Sequence, residues 1–213
     1  MAGKPFERPP KFRNRMILMI VGICLQALGL SLLIRLDLGT DPCSCFTLGV
    51  QKHLPFSYGT VQLIINLVTF LYVIFNDLGM IGFGTIGNMI VLGYLVDFFT
   101  WIWGLVLPGG MGFFDNRVAC YILLVPVLVV FIFGAAAYMA AGLGMSSYDG
   151  IPFILHSKQK KLSFKAVRRI WDFSFMIVGA LLGGPLNIVT IACAFFIGPV
   201  IGFVQKKMNV FIS

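Results

Sequence analysis

Residues 38–45 read Leu-Gly-Thr-Asp-Pro-Cys-Ser-Cys and follow directly on a long apolar run. Threonine or aspartate before proline is typical of a helix start, because the polar side chain caps free backbone N–H groups and proline fits the first turn. Pro55 limits the predicted helix to about His53. A helix of about twelve residues extends roughly 18 Å, which is too short to cross a bilayer. The stretch therefore predicts a short helix that is either re-entrant or interfacial.

The composition of the whole chain indicates a protein that faces lipid. Of the 213 residues, 59% are hydrophobic and 11% are charged, and the mean hydropathy is +0.95. Soluble domains carry roughly 25% charged residues, because their surface has to meet water. The sequence therefore predicts a single all-α polytopic membrane domain over residues 1–213, with the lipid bilayer as its surroundings.

Six apolar runs are long enough to be transmembrane helices. Each has roughly the 20 residues that a helix needs to cross a hydrocarbon core of about 30 Å. A second short segment, residues 146–156, lies before the fifth run, and Ser163 is expected to cap that run. The predicted spans cover residues 16–34, 57–76, 78–96, 118–142, 164–182 and 186–205.

The basic residues indicate how these spans are oriented. They cluster at residues 4–15, 158–169 and 206–207, and an excess of this kind is typical of cytoplasmic loops. Six spans place all three clusters on one side, whereas five or seven spans do not. We therefore expect a multi-pass plasma-membrane protein with cytoplasmic N- and C-termini. The net charge of +8 is explained in this way, and no nucleic-acid partner is expected.

The first half of the sequence resembles the second half when the two are aligned with a shift of 105 residues. Four glycines coincide with glycines at this shift, whereas composition alone gives about one such pair. Each half, about residues 16–104 and 118–207, then holds three spans and one short segment. An odd number of crossings inverts the second half relative to the first, as in many transporters. The matching glycines are Gly29 with Gly134, Gly39 with Gly144, Gly79 with Gly184, and Gly93 with Gly198.

The two short segments predict a binding site where their N-terminal ends meet. Helix N-termini present free N–H groups and a positive dipole end, and they can hold an anionic or polar solute within a membrane. The simpler alternative is that the same polar residues only cap the helices. The candidate substrate-binding residues are Gly39, Thr40, Asp41, Ser44, Gly144, Ser146, Ser147 and Asp149.

Polar residues within the predicted spans are candidates for lining a path across the membrane. A charge at the middle of a membrane helix costs ~2.5–3.5 kcal/mol on insertion scales, so its presence needs a reason. Hydrogen bonds between helices are the alternative reason. Arg168 and Asp172, four residues apart on one helix, could also pair with each other. The candidates are Gln26, Asn66, Asn88, Asp97, Arg168 and Asp172.

The sequence contains no pattern that is typical of an enzyme. No phosphate-binding glycine loop, nucleophile elbow or HExxH motif occurs. We therefore expect a protein that is not an enzyme and has no catalytic residue, no metal site and no cofactor. Cys43 and Cys45 leave a soft-metal site as an alternative, which is weakened because the ten methionines are scattered along the chain.

The motif at residues 38–42 resembles the YitT/YczE-type family of bacterial integral membrane proteins. The resemblance also rests on residues 84–87, Gly-Thr-Ile-Gly, and residues 93–97, Gly-Tyr-Leu-Val-Asp. It covers most of the chain and implies a small polytopic plasma-membrane protein, in a group for which transport is suspected. It implies no substrate and no catalytic residue. The second half departs from the motif, with Ser147 where Pro42 stands, so the halves need not play equal roles.

Together these patterns predict a permease or channel-like transporter for a small polar or anionic solute, bound between the two short helices near the midplane. The alternative is a non-transporting accessory or scaffold membrane protein that acts through a protein partner. In that case the glycines and the helix caps serve packing alone. Glycine-rich helix faces, such as that of residues 79–87, also allow a homodimer.

Overall fold

The structure of the chain, a computed structural model, consists of helices and connecting loops in the residues that it describes, which are 5–6, 8–107, 116–159 and 161–212. Lys4 and Lys160 of the basic clusters lie outside the described residues. The helices are α1 (Phe12–Leu36), α2 (Pro42–Gln51), α3 (Tyr58–Asn76), α4 (Phe83–Val106), α5 (Arg117–Ala140), α6 (Ser147–Lys158), α7 (Phe164–Leu181) and α8 (Ile188–Ile212).

The apolar helices and their exposed surface are those of an integral membrane protein. Within the described residues, five helices (α1, α3, α4, α5 and α8) are long and apolar enough to cross a membrane. Large apolar side chains cover their outer faces, including Phe75, which is 82% exposed, and Ile188, which is 79% exposed. Exposure of such an apolar surface to water is unfavourable, whereas contact with lipid chains is not. The 18-residue helix α7 has similar length but carries four charged residues.

Helices α1 and α5 form the centre of the bundle and touch through glycines. A Cβ atom added to Gly134 would lie 2.4 Å from the backbone nitrogen of Gln26, and one added to Gly22 would lie 2.5 Å from that of Tyr138. Small residues at such contacts let helix backbones approach closely, which is how helices gain packing energy inside a membrane. The central pair therefore depends on the absence of side chains at these positions.

The two short helices are buried, and each packs on a helix of the other half of the chain. Helix α2 contacts α7, and α6 contacts α3. After α2 ends, Lys52 donates to the carbonyl of Gly183, just beyond the C-terminus of α7. At the end of α6, Lys158 donates to Asn76, the last residue of α3. Helix α3 begins soon after α2 and is about 28 Å long, so α2 and α6 end at opposite ends of the bundle.

The prediction for the third apolar run was wrong in its bounds. The expected span was residues 78–96, whereas α4 covers Phe83–Val106, and Leu78–Met80 form a separate 3-10 turn. The cause is a contact with the distant loop before α6. Gly84 donates its N–H to the carbonyl of Leu143 at 2.7 Å, and this contact fixes the chain where α4 begins. Asp97 therefore lies inside the helix instead of near its end.

Candidate functional site

Each short helix is preceded by a left-handed glycine that packs against a distant threonine. Gly39 has a φ of +116° and Gly144 a φ of +108°, a region that other residues rarely adopt. Added Cβ atoms would lie 2.6 Å from Thr190 Oγ1 at Gly39 and 2.7 Å from Thr85 Oγ1 at Gly144. Both glycines and both threonines are spaced by 105 residues. The two helix starts are thus held by equivalent contacts across the molecule.

The threonines also form hydrogen bonds with the backbone of the residues that lead into the short helices. Thr40 donates its N–H to Thr190 Oγ1 at 3.2 Å, and Thr85 Oγ1 donates to the carbonyl of Met145 at 2.8 Å. Thr85 and Thr190 are fully buried, with exposures of 1% and 0%. A buried hydroxyl in this role fixes the position at which each short helix begins.

The beginnings of α2 and α6 meet at one cavity of about 180 Å³. At about 30 Å³ per molecule in the liquid, this volume corresponds to roughly six waters. Asp41, the N-cap of α2, and Ser146, the N-cap of α6, both line it. The sequence-predicted site residues that line this cavity are Gln26, Asp41, Ser44, Asn66, Asn88, Ser146, Asp149, Arg168 and Asp172.

One side of the cavity is a closed network around Arg168. Its Nη1 donates to Asp149 Oδ1 at 2.7 Å and its Nε donates to Asp172 Oδ2 at 3.0 Å. Tyr148 Oη donates to the other oxygen of Asp172 at 2.6 Å, and Ser146 Oγ donates to the other oxygen of Asp149 at 3.0 Å. The guanidinium also lies 5.3 Å from the centroid of the Tyr148 ring. All four carboxylate oxygens therefore have partners.

Other residues of the cavity carry side-chain oxygens that lack partners. Asp41 Oδ2 accepts from the N–H of Ser44 at 3.2 Å as a helix cap, but its Oδ1 is buried and has no hydrogen bond among the described residues. The side-chain oxygens of Gln26 and Gln62 are buried and lack partners in the same sense. Both residues line this cavity, and Gln62 is 6% exposed. Buried acceptors are normally satisfied, so these oxygens are available to a water molecule or to another bound group.

Five of the predicted site residues lie elsewhere. Gly39 and Thr40 line a second cavity of about 440 Å³, beside the C-terminal end of α2. Gly144 packs on Gly82 and Thr85, outside the lining of the smaller cavity. Ser147 is buried and accepts from Thr69 Oγ1 at 2.8 Å. Asp97 accepts from the N–H of Gly59 at 3.0 Å, so it joins α4 to α3.

Among the cavity residues that sequence reasoning missed are Gln62 and Tyr148. Gln62 lies four residues before Asn66 on α3, so helical periodicity places both on one face, and this signal could have found it. Tyr148 carried no such signal, since its role depends on Asp172, 24 residues away.

The cysteine pair does not converge on a metal site. Cys43 lines the cavity, whereas Cys45 is buried and lies near the carbonyl of Met176 on α7. Within the described part of the chain, no group of three His, Cys, Asp or Glu residues is arranged to hold a metal ion. The soft-metal alternative therefore gains no support from the geometry.

Two known proteins are similar to the chain over most of its length. An uncharacterized protein of Haemophilus influenzae is 25% identical over 187 residues, which cover 87% of this chain and 81% of that protein. The uncharacterized membrane protein YczE of Bacillus subtilis is 25% identical over 183 residues, which cover 85% of this chain and 81% of YczE. No solved structure matches the chain.

A family match extends over nearly the whole sequence. Residues 13–206 match DUF6198, which is described as a family of unknown function. The similarity to YczE confirms the resemblance that the motifs at residues 38–42, 84–87 and 93–97 predicted. It also agrees with the apolar helices and their exposed surface. The chain therefore belongs to DUF6198, a YczE-type family of membrane proteins.

Proposed function

We propose that the protein is a permease for a small polar solute, which binds in the 180 Å³ cavity between the beginnings of α2 and α6. The observation that carries this proposal is the concentration of ionisable groups at that place. Asp41, Asp149, Arg168 and Asp172 all line one small cavity among apolar helices. Ionisable groups are costly inside a membrane, and they mark solute or ion pathways more often than not.

An inverted arrangement of two halves supports this proposal. The packing of α2 on α7 has its counterpart in that of α6 on α3, and the packing of α1 on α4 has its counterpart in that of α5 on α8. In this arrangement α7 is the fifth of six membrane spans despite its charges, because Arg168 and Asp172 face the cavity. Six spans place the N- and C-termini in the cytoplasm of a plasma-membrane protein. Inverted halves around a central site are the common design of membrane transporters.

A route to the site is provided by the larger cavity. It has a volume of about 440 Å³ and is lined by Thr40, Gln51, Lys52 and Phe56 at the end of the molecule where α2 terminates. Thr40 lines the larger cavity and its neighbour Asp41 lines the smaller one, so these two residues lie between the two cavities. A movement of Thr40 and Asp41 would connect the smaller cavity with the larger one, and through it with one side of the membrane.

Uptake into liposomes that contain the purified protein tests the permease proposal. We expect Asp41→Asn to lower the uptake of any transported solute by about tenfold or more, since a hydrogen bond to a charged group contributes roughly 1.5–3 kcal/mol. Asparagine caps a helix as well as aspartate does, so α2 remains capped. Asp77→Asn is the matched control, because Asp77 also caps a turn but does not line the cavity.

Two results would contradict the proposal. One is unchanged uptake in Asp41→Asn for every solute that the unmodified protein transports. The other is the absence of any uptake together with co-purification of a partner protein in stoichiometric amount, which would favour the accessory or scaffold role. An enzymatic role is not proposed, because the sequence contains none of the motifs that are typical of an enzyme.

A further inference from the structure

The charges around the cavity oppose the anionic solute that two helix N-termini alone would favour. The described lining residues include three carboxylates (Asp41, Asp149 and Asp172) and one guanidinium (Arg168), which leaves an excess of two negative charges. The N-termini of α2 and α6 each contribute about half a positive charge. These partial charges offset only about half of the excess, so with its three carboxylates ionised the lining favours a positively charged occupant.

The one cation of the described lining is not free to hold an anion. Arg168 is bound by Asp149 at 2.7 Å and by Asp172 at 3.0 Å, and it lies against the ring of Tyr148. An anion would have to displace a carboxylate from this network and leave it buried without a partner. That exchange is strongly unfavourable, because an unpaired buried charge costs several kcal/mol.

Three buried acceptors of the lining lack partners among the described residues. They are Asp41 Oδ1, Gln26 Oε1 and Gln62 Oε1, and they come from three different elements of the fold: the start of α2, the middle of α1 and the first turns of α3. One carboxylate and two amide oxygens can bind a group that donates several hydrogen bonds and carries a positive charge.

We infer that the cavity binds a small organic cation with N–H groups, of the alkylammonium or guanidinium class, with Asp41 as its counter-ion and Gln26 and Gln62 as further acceptors. This inference rests on the proposed function, since it names the class of solute for the same site. A cavity of about 180 Å³ admits a cation of this class that has a short alkyl chain. A transition-metal ion is a poorer occupant, because within the described residues no group of three His, Cys, Asp or Glu residues is arranged to hold one.

Binding to the purified full-length protein in detergent tests the inference without any transport assay. Ligands that bind the folded state raise the temperature of unfolding in a saturable way. The probes are methylguanidinium chloride and ethylammonium chloride. Sodium acetate tests for an anion site, acetamide for a neutral one, and sodium chloride controls for ionic strength. We expect a saturable rise with at least one of the two cations, and no saturable rise with acetate or acetamide.

Variants at the free acceptors sharpen this test. We expect Asp41→Asn to raise the midpoint concentration of the cation by about tenfold or more, and Gln62→Leu to raise it by a smaller factor. Asp77→Asn should leave the midpoint unchanged, because Asp77 lies outside the cavity. Equal midpoints in the unmodified protein and in Asp41→Asn would overturn the inference. Saturable binding of acetate, or no saturable rise with either cation, would overturn it as well.

Different experimental results would refute the cation site and the permease proposal. A cation that binds with a dependence on Asp41 but is not taken up by liposomes would leave the binding site in place and refute the permease. Uptake of an anion or a neutral solute that depends on Asp41 would support the permease and refute the cation site.

Discussion

At the scale of single residues, the aspartates that line the cavity differ in how many of their carboxylate oxygens are hydrogen-bonded. Asp149 and Asp172 have every oxygen engaged, whereas Asp41 engages one oxygen and leaves the other free. Groups that are fully paired give shape and stability, while a buried group with a free oxygen is available to a solute. Under the proposed function, Asp41 therefore binds the solute, while Asp149 and Asp172 hold Arg168 in place.

The hydrogen bond between Tyr148 and Asp172 is expected to contribute to stability. Tyr148→Phe removes the donor at 2.6 Å and leaves a buried carboxylate oxygen of Asp172 unsatisfied. We expect a loss of about 1–3 kcal/mol in the free energy of unfolding. Unfolding in mixed detergent measures it. Tyr121→Phe, at a side chain that is 56% exposed, is the control and should change nothing. Equal stability of both variants would show that this bond is not needed.

At the scale of elements, close approach of helices decides the packing. The contact of α1 with α5 depends on Gly22 and Gly134, where added Cβ atoms would collide with backbone atoms. Backbone atoms cannot rotate away as a flexible side chain can, so a larger residue forces whole helices apart. Gln26 lies at this same contact and lines the cavity, so the position of α1 also affects the shape of the cavity.

Gly134→Ala is expected to separate the two central helices. The new Cβ atom would lie 2.4 Å from the backbone nitrogen of Gln26, and overpacking of this kind costs about 1–3 kcal/mol. The temperature of unfolding in detergent should fall accordingly. Gly104→Ala is the matched control, because Gly104 is also helical and nothing lies within 4 Å of its added Cβ atom. A fall of similar size in the control would mean that alanine is disfavoured for a reason other than helix contact.

At the scale of the whole molecule, the two short helices enter the bundle from opposite ends. Their beginnings share a cavity, while Lys52 lies at the C-terminal end of α7 and Lys158 at the C-terminal end of α3. Under the proposed function, a movement of either short helix would open the cavity to one side of the membrane.

Labelling of single cysteines from each side of the membrane tests this arrangement. In a variant whose five cysteines are replaced by alanine, we expect Lys52→Cys and Lys158→Cys to react with a membrane-impermeant maleimide from opposite sides. Lys207→Cys, near the end of α8, should react from the same side as Lys158→Cys, because six spans return the C-terminus to the cytoplasm. Reaction of Lys52→Cys and Lys158→Cys from one side would exclude the inverted arrangement.

The sequence by itself determined the features that depend on neighbours within about four residues. Asp41 caps α2 and Ser163 caps α7 as predicted, and Arg168 pairs with Asp172 one helical turn away. These outcomes were predictable because a cap or an (i, i+4) pair needs only local helix geometry. The apolar runs likewise predicted most of the helices, since a long apolar helix satisfies its own backbone within a membrane.

Only the tertiary structure decided which polar groups meet and which remain free. The start of α4 depends on Leu143, and the pairing of Arg168 with Asp149 joins residues 19 positions apart on two helices. The helix N-termini alone predicted an anionic or polar solute, and the charge balance of the lining instead favours a cation. Such a balance is a sum over helices that are distant in the chain, and contacts between them follow from packing, which no local pattern of residues encodes.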